Sequence, residues 1–184
     1  VNLGDRTLRW GVDYQRNSSQ LQAVQSRGKL GNQQLLQRWF TGAAIISDLS
    51  VLLTPVESDR LLGFNLLTGE RLFTPKVRLD MRYLAGIRGQ KCFVVGPKSM
   101  KAYNLEGGGQ AWKLDSGVFK SGQQISGQGV FGEDCYFLPT NTREIIQVSL
   151  ENGDVLDRRE TSYELGNLVA VDGEIITQGP TKLS

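Results

Sequence analysis

The sequence predicts an all-β protein, a β-propeller built of four-stranded antiparallel blades. Two observations carry this prediction: a hairpin-type segment recurs four times, and a strand that ends beside a proline recurs about every 42 residues. Repeats of about 40 to 45 residues that hold several short strands are typical of propeller blades. The 184 residues, 39% apolar and 22% charged, suffice for one globular domain or part of a larger one.

The first repeated feature is a ten-residue segment that begins with an apolar residue, then Asn or Ser, then Leu. Its copies start at Val1, Phe64, Tyr103 and Val148, so they lie 63, 39 and 45 residues apart. Each copy passes through a turn signal: Asp5-Arg6, Thr68-Gly69, Gly107-Gly108 and Asn152-Gly153. Asn-Gly and Gly-Gly favour a hairpin in which both central residues adopt positive φ. The 63-residue spacing predicts a period that carries an insertion.

The second repeated feature is a strand that stops beside a proline, as expected because proline gives no amide hydrogen to a sheet. Its copies end at Pro55, Pro97, Pro139 and Pro180. An apolar strand and a tight turn precede each copy, with the strands at Ala43–Ile46, Tyr83–Ile87, Gly129–Phe131 and Leu168–Val171. A third strand is predicted to begin near Leu61, Met100 or Glu144, and the hairpin leads to a fourth. The repeating unit is therefore four strands.

This arrangement predicts three nearly complete blades and partial blades at both ends. The predicted segments are 1–10, the end of a preceding blade; 11–40, a polar basic insertion loop; 41–77, 78–119 and 120–161, three blades; and 162–184, the first strands of a further blade. We expect an excerpt from a ring of about seven or eight blades. The alternative is that the two end segments complement each other in one split blade and give a four-bladed ring.

The composition argues against several classes of function. The chain has no histidine, which excludes Ser-His-Asp and Cys-His nucleophile systems and His-ligated zinc or iron in this segment. A net charge of +2 does not indicate nucleic acid as a binding partner. No apolar run reaches the roughly 20 residues that a membrane-spanning helix needs. Cys92 and Cys135 hold similar places in successive blades and are predicted to be buried free thiols.

The predicted insertion is the candidate interaction segment. Residues 1–40 hold six basic and two acidic side chains, so the net positive charge of the chain resides there. Long loops on rigid scaffolds often carry function, although a solvated loop is the alternative. The candidate partner-binding residues are Arg16, Arg27, Lys29, Arg38 and Trp39. For Trp39 the alternative is packing of the insertion onto the following blade.

Other conspicuous residues are assigned structural roles. Trp10, Phe73 and Trp112 share one repeat position, which favours packing between neighbouring sheets over stacking on a cofactor, and Asp157 breaks the series. The segment 127–132 matches the letters of a dinucleotide-binding glycine pattern. A strand rather than a helix is predicted to follow it, so the glycines are expected to serve the fold.

Three of the repeats resemble a known family. The segments Leu66–Glu70, Tyr103–Leu105 with Trp112, and Val148–Val155 resemble the ending of the PQQ-like β-propeller repeat, and the resemblance covers most of the chain outside 11–40. Further segments are similar to large, uncharacterised propeller proteins of planctomycete-type bacteria. These segments are Thr54-Pro55, Leu138-Pro139, and Gly166–Val169 leading to Ile176–Gly179.

The resemblance implies a fold more strongly than a function. The wider family includes quinoprotein dehydrogenases, an outer-membrane assembly lipoprotein that only scaffolds, and propellers attached to kinases, so a periplasmic or cell-envelope location is implied. Its quinoproteins use an adjacent Cys pair, a stacking Trp and a calcium-binding Glu, Asn and Asp set. This segment has no Cys-Cys pair, and two of its three tryptophans already occupy the repeat position.

We therefore predict a non-catalytic scaffold that binds a protein or an envelope polymer, with no catalytic, cofactor-binding or metal-binding residue in this segment. The remaining blades of the parent chain are expected partners, and neither nucleic acid nor a membrane span is expected. The alternative is part of a PQQ-dependent dehydrogenase, or of another propeller enzyme, whose active site lies in blades outside this segment.

Overall fold

The computed structural model describes residues 8–14, 44–78 and 80–178, and these residues form short antiparallel strands joined by turns. The strands are β1 (Ile45–Ser47), β2 (Ser50–Leu53), β3 (Arg60–Asn65), β4 (Lys76–Val77), β5 (Tyr83–Arg88), β6 (Lys91–Val95), β7 (Met100–Asn104), β8 (Gln110–Leu114), β9 (Val130–Phe131), β10 (Cys135–Pro139), β11 (Glu144–Ser149), β12 (Val155–Glu160), β13 (Asn167–Val171) and β14 (Glu174–Gln178). A single 3₁₀ turn, Ser116–Val118, is the helical structure in this part of the chain.

The strands assemble into three four-stranded sheets and one two-stranded sheet, each in sequence order. The sheets are β1-β2-β3-β4, β5-β6-β7-β8, β9-β10-β11-β12 and β13-β14. Their antiparallel pairing and meander order confirm the predicted four-stranded unit, and third strands begin at Arg60, Met100 and Glu144. The predicted blade boundaries stay predictions, and segment 1–10 and the 11–40 insertion lie mostly outside the described residues.

The chain divides into two units: residues 1–92 with 104–109, and residues 93–103 with 110–184. In the first unit β1 lies beside β5, and in the second unit β13 lies beside β9 and β10. First strands of successive sheets are therefore neighbours within each unit. This arrangement follows from burial, because a four-stranded meander cannot cover both of its own faces and must pack against the next sheet.

The middle strands carry the core. In β6 the four consecutive residues 92–95 are buried, whereas β11 alternates buried and half-buried positions until its last two residues. Consecutive burial shows that both faces of a middle strand are covered. The residues Leu52 and Leu61 in the first unit and Leu138 and Ile146 in the second are fully buried. Cys92 and Cys135 are buried free thiols, as predicted.

The hairpins between the third and fourth strands share one geometry. The backbone N–H groups of Asn65, Asn104 and Ser149 donate to the carbonyls of Glu70, Gly109 and Asp154, each at 2.8 Å. Each loop therefore has four residues, and its last residue is a glycine with positive φ: 75° at Gly69, 70° at Gly108 and 81° at Gly153. Four-residue hairpin loops are most often built around a type I turn.

This geometry corrects one prediction. Asn152-Gly153 was expected to place both central residues at positive φ, but Asn152 does not adopt positive φ and only Gly153 does. In a four-residue loop only the last position needs the left-handed conformation. Asn152 serves the turn through its side chain, because its Oδ1 atom accepts the N–H of Asp154 at 3.1 Å. Asn commonly closes such local turns.

The repeated aromatic residues dock onto these glycine turns, and their predicted packing role is confirmed. In the first unit Trp10 Nε1 donates to the Leu66 carbonyl at 2.9 Å, and in the second Trp112 Nε1 donates to the Leu150 carbonyl at 3.0 Å. A Cβ atom added to Gly153 would lie 2.6 Å from the Trp112 ring. Gly69 and Gly153 therefore each meet two requirements, a left-handed backbone and space for an indole, and Gly108 makes the corresponding contact with Phe73.

Replacing Gly153 tests both requirements. We expect Gly153→Ala to lower the free energy of unfolding by roughly 3 kcal/mol, because alanine pays for the left-handed backbone and also displaces the Trp112 ring. Gly173→Ala is the matched control, since Gly173 also has φ 81° but has no neighbouring atom within 4 Å of an added Cβ. It should cost only about 1 kcal/mol. Urea unfolding measures both, and equal losses would show that the indole contact contributes nothing.

Candidate functional site

A cleft opens at one end of the strands in the second unit. Its volume is about 660 Å³, and its lining residues are Ser126, Asn141, Glu164, Leu165, Gly166, Asn167 and Gln178. They come from the segment before β9, the β10–β11 turn, the segment before β13, and the end of β14. We call this site the loop cleft. It lies at the opposite end of the strands from the hairpin that receives Trp112.

Two glycines bring the segments before β9 and β13 together. A Cβ atom on Gly127 would lie 2.0 Å from the Gly166 carbonyl oxygen, so any side chain there would separate the two segments. Next to this contact, Leu168 N–H donates to the Gln128 carbonyl at 2.7 Å, and Gln128 N–H donates to Asn167 Oδ1 at 2.8 Å. One wall of the loop cleft is therefore fixed by one hydrogen bond between backbone groups and one from a backbone N–H to a side chain.

The same contacts explain the glycine pattern at 127–132. A strand pair, β9 and β10, follows Gly127, and a Cβ atom on Gly129 would lie 2.2 Å from the Phe137 carbonyl oxygen. A dinucleotide-binding glycine loop requires a helix N-terminus at this point to meet the pyrophosphate. The structural interpretation of this motif is confirmed.

The β10–β11 turn forms the second wall. Asn141 N–H donates to the Gln124 carbonyl at 3.0 Å, and Gln124 N–H donates to Asn141 Oδ1 at 2.8 Å. Ser126 N–H donates to the Pro139 carbonyl at 3.0 Å. These bonds tie the segment that carries Ser126 to the turn that carries Asn141. Both walls are thus held before any ligand arrives, which lowers the entropic cost of binding.

A buried carboxylate network adjoins the β10–β11 turn, because Gln123 Nε2 also donates to Thr140 Oγ1 at 3.3 Å and to Thr142 Oγ1 at 2.7 Å. The Glu144 side chain is 3% exposed and accepts hydrogen bonds from Lys120 Nζ at 2.8 Å, Arg158 Nη1 at 2.9 Å and Gln123 Nε2 at 2.6 Å. Arg158 Nη2 also donates to the Val118 carbonyl at 2.5 Å. A buried charge is tolerated when it is paired and hydrogen-bonded in this way. The network connects β11, β12 and the segment 118–123.

The environment of Glu144 has opposing effects on its pKa. Burial favours the neutral acid, but the hydrogen bonds from Lys120 and Gln123 and the positive charges of Arg158 and Lys120 favour the carboxylate. Together they lower the pKa of Glu144 below its usual value. The folded structure therefore stabilises the charged form of the Glu144 side chain.

The lining of the loop cleft combines polar side chains with Leu165 and carries one negative charge. Glu164 and Gln178 are exposed, and Ser126 Oγ is buried without a hydrogen-bond partner. No lysine or arginine is among the described lining residues. Within residues 8–14, 44–78 and 80–178, no group of three or more His, Cys, Asp or Glu side chains could hold a metal ion. This arrangement offers hydrogen bonds and one carboxylate to a ligand.

A second cavity of about 500 Å³ lies elsewhere in the second unit. Its lining residues are Phe137, Ile145, Gln147, Asp157, Arg159, Glu160, Thr161, Gly173 and Ile175. Asp157 stands at the repeat position that Trp112 fills in the preceding sheet. Hydrogen bonds from the Arg159 side chain and the Arg158 backbone N–H lower the pKa of Asp157. Asp157 thus lines a cavity instead of packing on a glycine turn as Trp112 does.

The residues singled out from the sequence are not those that form the cleft. Arg16, Arg27, Lys29, Arg38 and Trp39 lie outside the described residues, so their role stays a prediction. The cleft residues were missed because single Ser, Asn and Gln residues in turns carry no motif. The available signal was positional: loop residues at the same end of neighbouring strands converge in a meander of sheets.

Comparison with known proteins supports the fold. No protein-family model matches the chain, and no curated protein matches it. The chain is similar to the crystal structure of BamB from Moraxella catarrhalis, with 16% identity and a TM-score of 0.60 over 77% of this chain and 42% of BamB. It is also similar to the computationally designed Ika4 protein, with 12% identity and a TM-score of 0.58 over 78% of this chain and 88% of Ika4.

A redox enzyme is also similar in structure. The quinohemoprotein alcohol dehydrogenase from Comamonas testosteroni matches with 13% identity and a TM-score of 0.51, over 67% of this chain and 21% of the enzyme. The chain therefore has the β-propeller fold, and the resemblance to the PQQ-like β-propeller is confirmed at the level of the fold. It spans less than half the length of BamB. The likeness to planctomycete-type propellers stays a prediction.

The described residues contain no helix with the length and apolar character needed to cross a membrane.

The Glu144 network predicts a pH-dependent effect of Glu144→Gln. The folded-state pKa of Glu144 is lowered, so its charge stabilises the fold above the unfolded-state pKa of about 4.3, and this stabilisation is lost as the pH falls through the folded-state pKa. We expect Glu144→Gln to lower the free energy of unfolding by about 3 kcal/mol at pH 7, because Lys120 and Arg158 lose their counter-charge. The deficit should shrink at pH 3. Urea unfolding at the two pH values measures it, and a pH-independent deficit would contradict the charge argument.

Proposed function

We propose that this chain is a non-catalytic β-propeller module that presents its loops to a partner, and that the loop cleft is the contact site for a protein segment. The observation that carries the proposal is the cleft itself: about 660 Å³, lined by amide and carboxylate side chains together with Leu165. Binding sites of this size, with a few convergent polar groups on rigid elements, are typical of ligand and peptide recognition.

The groups on the cleft surface suit a polypeptide. Asn167 and Gln178 lie at the paired ends of β13 and β14, where their Cα atoms are partners across the strands. Amide side chains at such a position can both donate to and accept from the backbone of an extended segment. The preformed walls around Asn141 and Gly166 supply the rigidity that makes such hydrogen bonds favourable.

The basic insertion is a second proposed contact region. Arg16, Arg27, Lys29, Arg38 and Trp39 combine positive charge with one large aromatic side chain, and arginine and tryptophan often dominate binding energies at interfaces. An anionic envelope polymer is the partner that these residues would suit. The periplasmic or envelope location that we propose rests on the family resemblance alone.

Selection of peptides tests the proposed contact site. Peptides that are selected from a random phage-displayed library on the immobilised chain should bind at the loop cleft. Gln178→Ala should weaken their affinity roughly fivefold, the loss of about one hydrogen bond. The matched control is Gln110→Ala, an exposed glutamine on β8 that does not line the cleft. Fluorescence anisotropy measures both variants. Equal affinities for Gln178→Ala and the unmodified chain would refute the cleft as the contact site.

A second candidate function is part of a PQQ-dependent dehydrogenase, or of another propeller enzyme, with its active site in blades outside these residues. The observation that favours it is the structural likeness to the quinohemoprotein alcohol dehydrogenase, of which this chain covers 21%. A longer parent chain could supply the cofactor contacts.

Cofactor binding distinguishes the two functions. We expect PQQ with calcium to leave the melting temperature of this chain unchanged, because only a ligand of the folded state stabilises it in proportion to its occupancy. Differential scanning fluorimetry with PQQ and calcium, each alone and together, measures the shift. A saturable increase with both present, accompanied by bound-cofactor absorbance, would favour the dehydrogenase.

A further inference from the structure

The lining of the second cavity, which holds about 500 Å³, changes from apolar to polar across one face of the third sheet. Phe137 on β10, Gln147 on β11 and Asp157 on β12 are partners across neighbouring strands, so their side chains share a face. Ile145 and its partner Arg159 lie on the same face, two residues along β11 and β12. The apolar side of the cavity therefore lies over β10 and β11, and its polar side lies over β11 and β12.

The two earlier sheets carry small and aromatic residues at the positions of Gln147 and Asp157. In the second sheet Trp112 stands at the repeat position on β8, and its partner on β7 is Ala102. In the first sheet Phe73 packs so closely on Gly63 of β3 that an added Cβ would lie 2.5 Å from its ring. These four residues are buried, whereas the side chain of Asp157 is 44% exposed. The third sheet therefore has hydrogen-bonding groups where the other two have packing residues.

The polar groups of the cavity present donors beside acceptors. The half-buried carboxamide of Gln147 makes no hydrogen bond in the part of the chain that the structure describes. Arg159 Nε donates to Asp157 Oδ2 at 2.9 Å, which leaves both Nη atoms of Arg159 free to donate to a ligand. Glu160 adds an exposed carboxylate that forms no ion pair within the described residues. Gln147 and Arg159 are the donors, and Gln147, Asp157 and Glu160 are the acceptors.

The charges around the cavity favour a neutral ligand. Asp157 and Glu160 repel an anion, whereas Arg159 repels a cation and already neutralises Asp157. A hydroxyl group both donates and accepts, so it can use donors and acceptors that lie side by side. A sugar ring carries several hydroxyl groups and also apolar C–H groups, which suit the neighbouring surface of Phe137 and Ile145.

We propose that the second cavity binds a pyranose unit of a neutral saccharide. Gln147, Asp157 and Arg159 hydrogen-bond its hydroxyl groups. Phe137 and Ile145, with Ile175 from β14, contact the C–H groups of the ring. A volume of about 500 Å³ is within the range of small-molecule sites. The cavity shares no described lining residue with the loop cleft, so this site goes beyond the proposed function.

Sugars that differ in charge and ring structure test the proposal. The probes are the methyl pyranosides of glucose, galactose and mannose. The controls at pH 6 are glucuronate as an anion, glucosamine as a cation, and sorbitol as a neutral polyol without a ring. In NMR spectra of the 184-residue chain, at least one methyl pyranoside should saturably shift the Gln147 side-chain amide signal and the methyl signals of Ile145 and Ile175. A dissociation constant of about 1 mM is expected for a ligand of this size. The controls should not shift these signals saturably.

A matched pair of variants tests the contribution of the carboxamide. Gln147→Ala introduces the residue type that Ala102 provides in the second sheet, so the sheet should still fold. It should weaken the affinity for the best-binding methyl pyranoside roughly fivefold, the loss of about one hydrogen bond. Gln110→Ala changes an exposed glutamine on β8 that does not line the cavity, and it should leave the affinity unchanged. Equal affinities for Gln147→Ala and Gln110→Ala would overturn the proposal.

The outcomes keep this inference separate from the proposed function. If none of the three methyl pyranosides shifts the cavity signals, or if sorbitol or a charged sugar shifts them as strongly, recognition of a neutral saccharide is refuted. The proposed contact site at the loop cleft is tested by Gln178→Ala with selected peptides. Because Gln178 does not line the second cavity, failure at one site leaves the other standing.

Discussion

The contact between an outer-strand aromatic ring and the next glycine turn is the constraint on which this structure depends. Trp112 packs against Gly153 and donates to the Leu150 carbonyl, so one side chain fixes both the position and the direction of the following sheet. The contact is possible only because a glycine occupies the left-handed position of a four-residue loop. The dispersion contacts of a large ring and one directional hydrogen bond act together.

The loop cleft benefits from this constraint although it lies at the other end of the strands. Because the hairpin end is held by side-chain packing, the opposite end can be irregular and polar. There, Gly127 and Gly166 approach closely, and backbone hydrogen bonds join the segments before β9 and β13. A rigid sheet with loops at one end is a common way to present binding groups, since the strands hold the loops in a fixed position.

Two glutamates of the second unit differ sharply in their surroundings. Glu144 is buried and its carboxylate is paired with Lys120 and Arg158. These cations, together with the hydrogen bond from Gln123, lower the pKa of Glu144. Glu164 is exposed at the cleft and makes none of the ion pairs observed in the described residues. The same residue type therefore occupies two opposite environments in the second unit.

The sequence by itself determined the four-stranded unit, the proline-terminated strands and the packing role of Trp10, Phe73 and Trp112, because these features repeat and depend on local turn and strand chemistry. Only the tertiary structure decided the loop cleft and the Glu144 network. Both join side chains from turns and strands that are far apart in sequence, and their Ser, Asn, Gln and Glu residues follow no spacing. Local periodicity predicts which strands form, but convergence of loops depends on how successive sheets pack.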